Sequence, residues 1–166
     1  MDEGTRRVRA TRVPSDGVRQ YRIMDRAGDW QRLCALLDDD ETVWESVEAA
    51  LGEGADPWEA LLDGLDDAGA LAYLQAQDTG MELSDALAQL PRVFELQPDL
   101  DDVTNTDDLE AAMRAADAAL ADGELRVLRL VEEDDDESWP VVVVPADHGG
   151  EIRSLAETLG HRVVGA

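Results

Sequence analysis

A chain of 166 residues with 44% hydrophobic content is long enough to bury one core, so a single domain is the default. Its 39 acids against 14 basic residues give a formal net charge of −25, which repels nucleic acid and anionic lipid and suits a basic partner or diffusely held cations. There is no apolar run of membrane-spanning length, no secretory signal and no partner for the lone Cys34, which lies in the apolar stretch RLCALL, so a reduced cytoplasmic protein is expected.

All 14 basic residues are arginine, a bias of composition that warns against reading each one as chosen for its fork geometry. Residues 1–26 hold seven arginines against four acids, and the rest of the chain holds seven against 35. Residues 1–25, with Pro14 and Gly17 and neither helical nor strand periodicity, read as a flexible Arg-rich arm. That arm either lies on the acidic body, binds nucleic acid, or precedes a true start at Met24. Residues 26–166 read as one acidic α+β domain.

Helical signals begin after the arm. Asp29 is placed to cap a helix whose face is Trp30, Leu33, Leu36 and Leu37. A second helix is expected over 42–51, with Val43, Trp44, Val47 and Leu51 in a stripe and Gly52 at its end. The third start is the clearest: Asp56 as N-cap, Pro57 in the first helical position, Glu59 in the first turn, and Trp58, Leu61, Leu62 and Leu65 on the buried face up to Gly69. These three helices should form a small layer.

The stretch ALAYLQAQ, residues 70–77, fits a strand or a continued helix, and Gly69 before it favours a strand. MELSDALAQL reads as a short helix stopped by Pro91, and residues 91–104 as irregular. A long helix is expected over 106–121, with Leu109, Ala112, Met113, Ala116 and Leu120 inside and Asp107 and Asp108 in its first turn.

The sheet signal follows. ELRVLRLV changes phase, and a bulge at Val127 and Leu128 would put Leu125 and Leu130 inside and Arg126 and Arg129 outside. WPVVVV suits a strand covered on both faces, with Pro140 at its start. ADHGGEIRSLAETLG is a helix with Ile152, Leu155, Ala156 and Leu159 inside, and HRVV is a last strand; the two strands and the helix between them form a right-handed crossover. The expected class is therefore α+β: an N-terminal helical layer on a small mixed sheet of about four strands, ending in a hairpin and a β-α-β unit.

Several groups of residues bear on chemistry. Glu132, Glu133, Asp134, Asp135, Asp136 and Glu137 form an unbroken acid run between the two apolar strands. Adjacent carboxylates repel, so the run is expected as a solvated hairpin tip that also guards an apolar strand against edge pairing. Asp99, Asp101, Asn105, Asp107 and Glu110 echo the spacing of a calcium loop, but Val103 and Thr104 stand where a ligand and a turn-making glycine belong. Asp99, Asp101, Asp107 and Glu110 are accordingly the only metal candidates, weighed against a plain helix cap.

The two histidines, His148 and His161, and the single cysteine have no metal-site spacing. Gly149 and Gly150 stand between a strand and a helix, but Glu151 follows where a phosphate loop needs lysine, so a turn capped by Asp147 is expected. Ser84, Ser138 and Ser154 lack a nucleophile motif, and with so many acids no carboxylate pair stands out. Trp139, beside the acid run, is either core or a partner anchor. Overall, the carboxylates are expected to form a hydrated skin and not to converge on a reactive centre.

SWPVVVVPADHGGEIRSLAETLGHRV, preceded by DPWEALLDGLDDAGALAYLQ, resembles a family of small bacterial proteins classed as a domain of unknown function. The likeness covers residues 29–164 and rests on Trp58 and its leucine stripe, the valine strand, and the helix ending at Leu159 and Gly160. It implies a small mixed α/β domain and no assigned activity or catalytic residues. The functional expectation is a non-enzymatic protein-binding or regulatory domain with a basic partner, of which an immunity protein holding a basic toxin is one form. The acid run and Trp139 would form the contact surface. The alternative is a calcium- or magnesium-dependent regulator or enzyme using segment 99–110. No cofactor is expected.

Overall fold

The structure, a computed structural model, describes residues 15–165 and the side chains from Arg26 onward. Of the arm expected over residues 1–25, residues 1–14 lie outside the described residues and residues 15–25 are helical. Helix α1 spans Ser15–Leu37, so Asp29 sits within it instead of capping it. The stretch RQYRIMDRA is built of residues with good or tolerable helix propensity, and nothing in it forces a start as late as Asp29.

Helix α2 spans Glu41–Glu53, capped by the Asp40 carboxylate on the Thr42 N–H. It ends at Gly54, whose φ of 71° is the left-handed conformation a helix stop requires, so Gly52 is an ordinary helical residue. Helix α3, Pro57–Asp67, starts as its sequence dictates: Asp56 accepts from the Trp58 N–H at 2.9 Å, and Trp58, Leu61, Leu62 and Leu65 are buried. Strand β1 is Ala72–Gln75.

Helix α4, Gly80–Ala88, opens on a reciprocal capping box between Thr79 and Glu82. Residues 91–104 hold two short helices, α5 at Pro91–Leu96 and α6 at Asp101–Thr104, and are not irregular. Pro91 ends one helix and opens the next, since at the first helical position its missing N–H is not needed. Helix α7 is Leu109–Ala121, capped by Asp108. Strands β2, Leu125–Val131, and β3, Ser138–Pro145, form a hairpin. A 3-10 turn at Ala146–His148 leads into α8, Gly149–Thr158, and β4 is Arg162–Gly165. Asp147 makes no capping bond to α8.

The sheet runs β1-β3-β2-β4, and every neighbouring pair is antiparallel. The α+β class stands, but the mixed sheet is corrected. β3 and β4 are parallel to each other yet separated by β2, because the hairpin and β1 already occupy both edges of β3. The free edge of β2 is where the returning chain can add.

The expected bulge is also absent. Leu125 to Arg129 pair with Pro145 to Val141 without a break. The phase change has another cause: helices cover both faces of the sheet. Leu128, Leu130, Val142, Val144 and Val163 pack into one core with α1, α2, α3 and α8. Val127, Val141, Val143, Ala72 and Leu74 pack into a second core with α4, α5, α6 and α7. The unbroken valines of β3 therefore serve both sides by simple alternation. Cys34 is buried in the first core, and burial pushes its thiol up to about 12, so it acts as a small hydrophobe.

Candidate acidic groove and its ring floor

The acid run is the β2–β3 connection, as its sequence suggests. Glu133 to Glu137 are exposed and Glu132 is half-buried. Asp135 closes the turn: its carboxylate accepts from the Glu137 and Ser138 N–H groups at 3.0 and 3.2 Å and from the Ser138 hydroxyl at 2.6 Å. These bonds hold its pKa below the usual carboxylate value, the Ser138 hydroxyl contributing most.

The hairpin does not project freely into water. Glu132, Glu133, Asp134 and Asp135 face Asp56, Trp58, Glu59 and Leu62 of the α3 start, with His161 between, around an open cavity of about 280 Å³. Six acids thus border one open cavity beside an imidazole, and all but Glu132 are exposed. Helix α3 and β4 share the first core, to which Trp58, Leu61, Leu62, Leu65 and Val163 all belong. Among the described residues, no three carboxylate, imidazole or thiol groups are placed to share a metal ion.

Aromatic rings make the floor. His161 stacks on Trp58 with centroids 4.4 Å apart and planes 2° from parallel, and Trp30 meets its edge at 5.6 Å. The ring follows Gly160, whose φ of 83° turns the chain out of α8, and the His161 N–H donates to the Ala156 carbonyl at 2.8 Å. Trp58 is 4% exposed, and its indole Nε1 has no hydrogen-bond partner.

Two groups carry the electrostatic signature of the groove. Glu132 has a raised pKa, first through burial and then through repulsion by Asp135, Glu59 and Asp63. His161 has a lowered pKa, because burial disfavours its charged form more strongly than Asp56 and Glu133 favour it. A histidine with a folded pKa below its unfolded value near 6.5 costs nothing at pH 7.5, where both states are neutral. Below ~6.5 the unfolded chain takes the proton more readily, so stability falls until the folded pKa is passed. We therefore expect wild type to lose more melting temperature than His161→Gln between pH 7.5 and 5.5, measured by circular dichroism. Equal losses would refute this description of the ring.

The remaining sequence candidates fare differently. Trp139 is half-buried against the second core, and the Arg129 guanidinium lies 3.8 Å from its ring centroid, so it is neither plain core nor a free anchor. Asp136 and Glu137 lie apart from the groove: Asp136 borders the cavity containing Trp139, and the Glu137 carbonyl accepts from the Ala76 N–H. Asp99, Asp101, Asp107 and Glu110 are all exposed and are not brought together. Asp99 caps the Asp101 N–H, Asp101 opens α6, and Glu110 pairs with Arg114 at 3.5 Å. Val103 and Leu109 are drawn into the core, which folds the segment into two helix starts instead of a loop around an ion. His148 has its own contact, Nδ1 to the Leu36 carbonyl at 3.1 Å.

The sequence reading missed Asp56, Glu59 and His161 as groove residues. Asp56 and Glu59 were legible only as helix-start residues, and nothing local links His161 to Trp58.

The molecule is an acidic α+β domain with helices on both faces of a four-stranded antiparallel sheet and a groove at the join of hairpin and helix. No described helix is long and apolar enough to cross a membrane. The chain belongs to the family described as Domain of unknown function (DUF6630), whose profile matches residues 29–166. No curated protein and no solved structure matches it.

Proposed function

We propose that this is a non-enzymatic, cytoplasmic protein-binding domain that takes basic side chains of a partner into the groove between the β2–β3 hairpin and the α3 start. An immunity protein holding a basic toxin is one form of this class. The observation that carries the reading is Glu132: a half-buried carboxylate crowded by three others and therefore costly to ionise in the free protein. A bound guanidinium or ammonium relieves that repulsion beside the stacked His161 and Trp58 rings that border the cavity. The strong negative body also steers a basic partner inward at a salt-dependent rate.

The test is calorimetric titration of an arginine- and lysine-rich peptide at two salt concentrations. Glu59→Gln/Glu132→Gln/Asp134→Asn is compared with Asp67→Asn/Asp122→Asn/Glu157→Gln, which removes as much charge from exposed sites elsewhere. We expect the groove variant to weaken binding about tenfold or more, equivalent to ~1.4 kcal/mol, and the control much less. Glu132→Gln alone should raise the melting temperature at neutral pH while weakening the peptide, since its folded pKa is raised and ionisation is what costs stability there. Equal weakening by both triple variants reduces the binding to net charge and refutes the site. Stabilisation by micromolar calcium or magnesium at fixed ionic strength would favour the metal-dependent alternative.

A further inference from the structure

On the opposite face of the sheet from the ring floor, three of the seven arginines beyond residue 26 meet around one cavity of about 490 Å³. Arg129 comes from β2, Arg162 from β4 and Arg114 from α7. Arg129 pairs with Val164, and Val131 with Arg162, so the two arginines are diagonal neighbours on the same face of adjacent strands. In a chain with 39 acids, neither Arg129 nor Arg162 has an ion-pair partner among the described residues. The Arg129 guanidinium carbon lies over the Trp139 ring, 3.8 Å from its centroid, and the Arg129 Nε is buried without a hydrogen-bond partner. Burial and the nearby Arg162 both disfavour its charge, while Asp136 and Glu110 only partly offset them. The acidic groove, by contrast, is lined by no arginine.

We infer that this cavity is a binding site for a small organic oxyanion, a phosphate monoester or a carboxylate. An oxyanion in the cavity bridges the Arg129 and Arg162 guanidinium groups and removes their mutual repulsion in one step. The cavity is far larger than an inorganic ion requires and lies within the range of small-molecule sites. Met113, Val131 and Val164 supply apolar wall for the organic body. A long acidic polymer would meet the repulsion of the whole protein, whereas a small anion meets mainly the local field, in which the three arginines outnumber the lining carboxylates Glu110 and Asp136.

The experiment follows the Arg129 side-chain N–H resonance while ribose 5-phosphate, citrate and inorganic phosphate are titrated at constant ionic strength. We expect a saturable shift with one of the two organic anions, which tells phosphate from carboxylate, and binding about tenfold weaker for inorganic phosphate, a loss of ~1.4 kcal/mol. Arg162 is exposed on the edge strand, so Arg162→Gln keeps the fold and should cost about tenfold in affinity. Arg26→Gln, an exposed change on α1, should cost little. No movement of the resonance with any of the three anions up to ~10 mM overturns the site, as does equal weakening by both substitutions.

Discussion

Gly80→Ala is expected to destabilise the domain by about 3 kcal/mol, lowering the melting temperature by roughly 6–12 °C for a chain of this size. Gly80 is the first residue of α4, and its N–H donates to the Thr106 carbonyl at 2.8 Å. A β-carbon there would overlap the Val103 carbonyl oxygen and stand 2.6 Å from that of Thr106. Both obstacles are backbone, so relief requires moving α4 away from the 101–106 segment. That movement would also open the contact that buries Val103 and Leu83. Helix propensity alone would favour alanine by up to ~1 kcal/mol, which makes the sign of the effect a clean test of the packing. Gly150→Ala supplies the comparison: it lies in the first turn of α8 with nothing within 4 Å of an added β-carbon, and should be neutral or slightly stabilising. A Gly80→Ala protein that melts with wild type in urea and heat would mean α4 does not rest on that segment.

The same contact explains which parts of the fold were legible in the sequence. Asp56, Pro57 and Glu59 announce a helix start through bonds made within one turn, and the structure builds that start as expected. The four valines of β3 announced a strand covered twice, because no other arrangement hides an unbroken β-branched run. Thr79 and Glu82 have the spacing of a capping box, a local signal the sequence reading passed over when it opened this helix at Met81. The segment 99–110 misled because caps and metal loops draw on the same residue types. The difference lies in Val103, whose burial depends on Gly80 leaving room for its carbonyl. The bulge in β2 was inferred from one covered face, and it vanishes once helices cover both. The acidic groove was half legible: the hairpin run is written in six consecutive residues, but its opposite wall and His161 arrive only with tertiary packing.

Arg92 shows how much can rest on a residue that composition cautions against reading singly, and Arg92→Ala should cost about 2–3 kcal/mol. Its Nη1 donates to the Val143 carbonyl at 2.8 Å and to the Leu37 carbonyl at 3.0 Å. Pairing of β1 with β3 stops at Val141, so the β3 edge beyond it has no strand partner on that side. Arg92 reaches that edge from α5, which packs with the second core, and goes on to the last carbonyl of α1, which packs with the first. One guanidinium thus caps a strand edge, caps a helix C-terminus and ties the two helical layers together around the sheet. Its charge also favours the negative end of the α1 dipole. Arg92→Lys keeps the charge but not the planar fork, and is expected to recover about half of the loss because an ammonium on a flexible stem satisfies two carbonyls less well. The expected signature in native-state hydrogen exchange is faster exchange at the end of α1, where the Asp38 N–H bonds to the Cys34 carbonyl, with little change in the β2–β4 ladder. If Arg92→Ala costs less than ~0.5 kcal/mol, the value of an ordinary surface change, the two layers are held by their apolar contacts alone and the bridge is incidental.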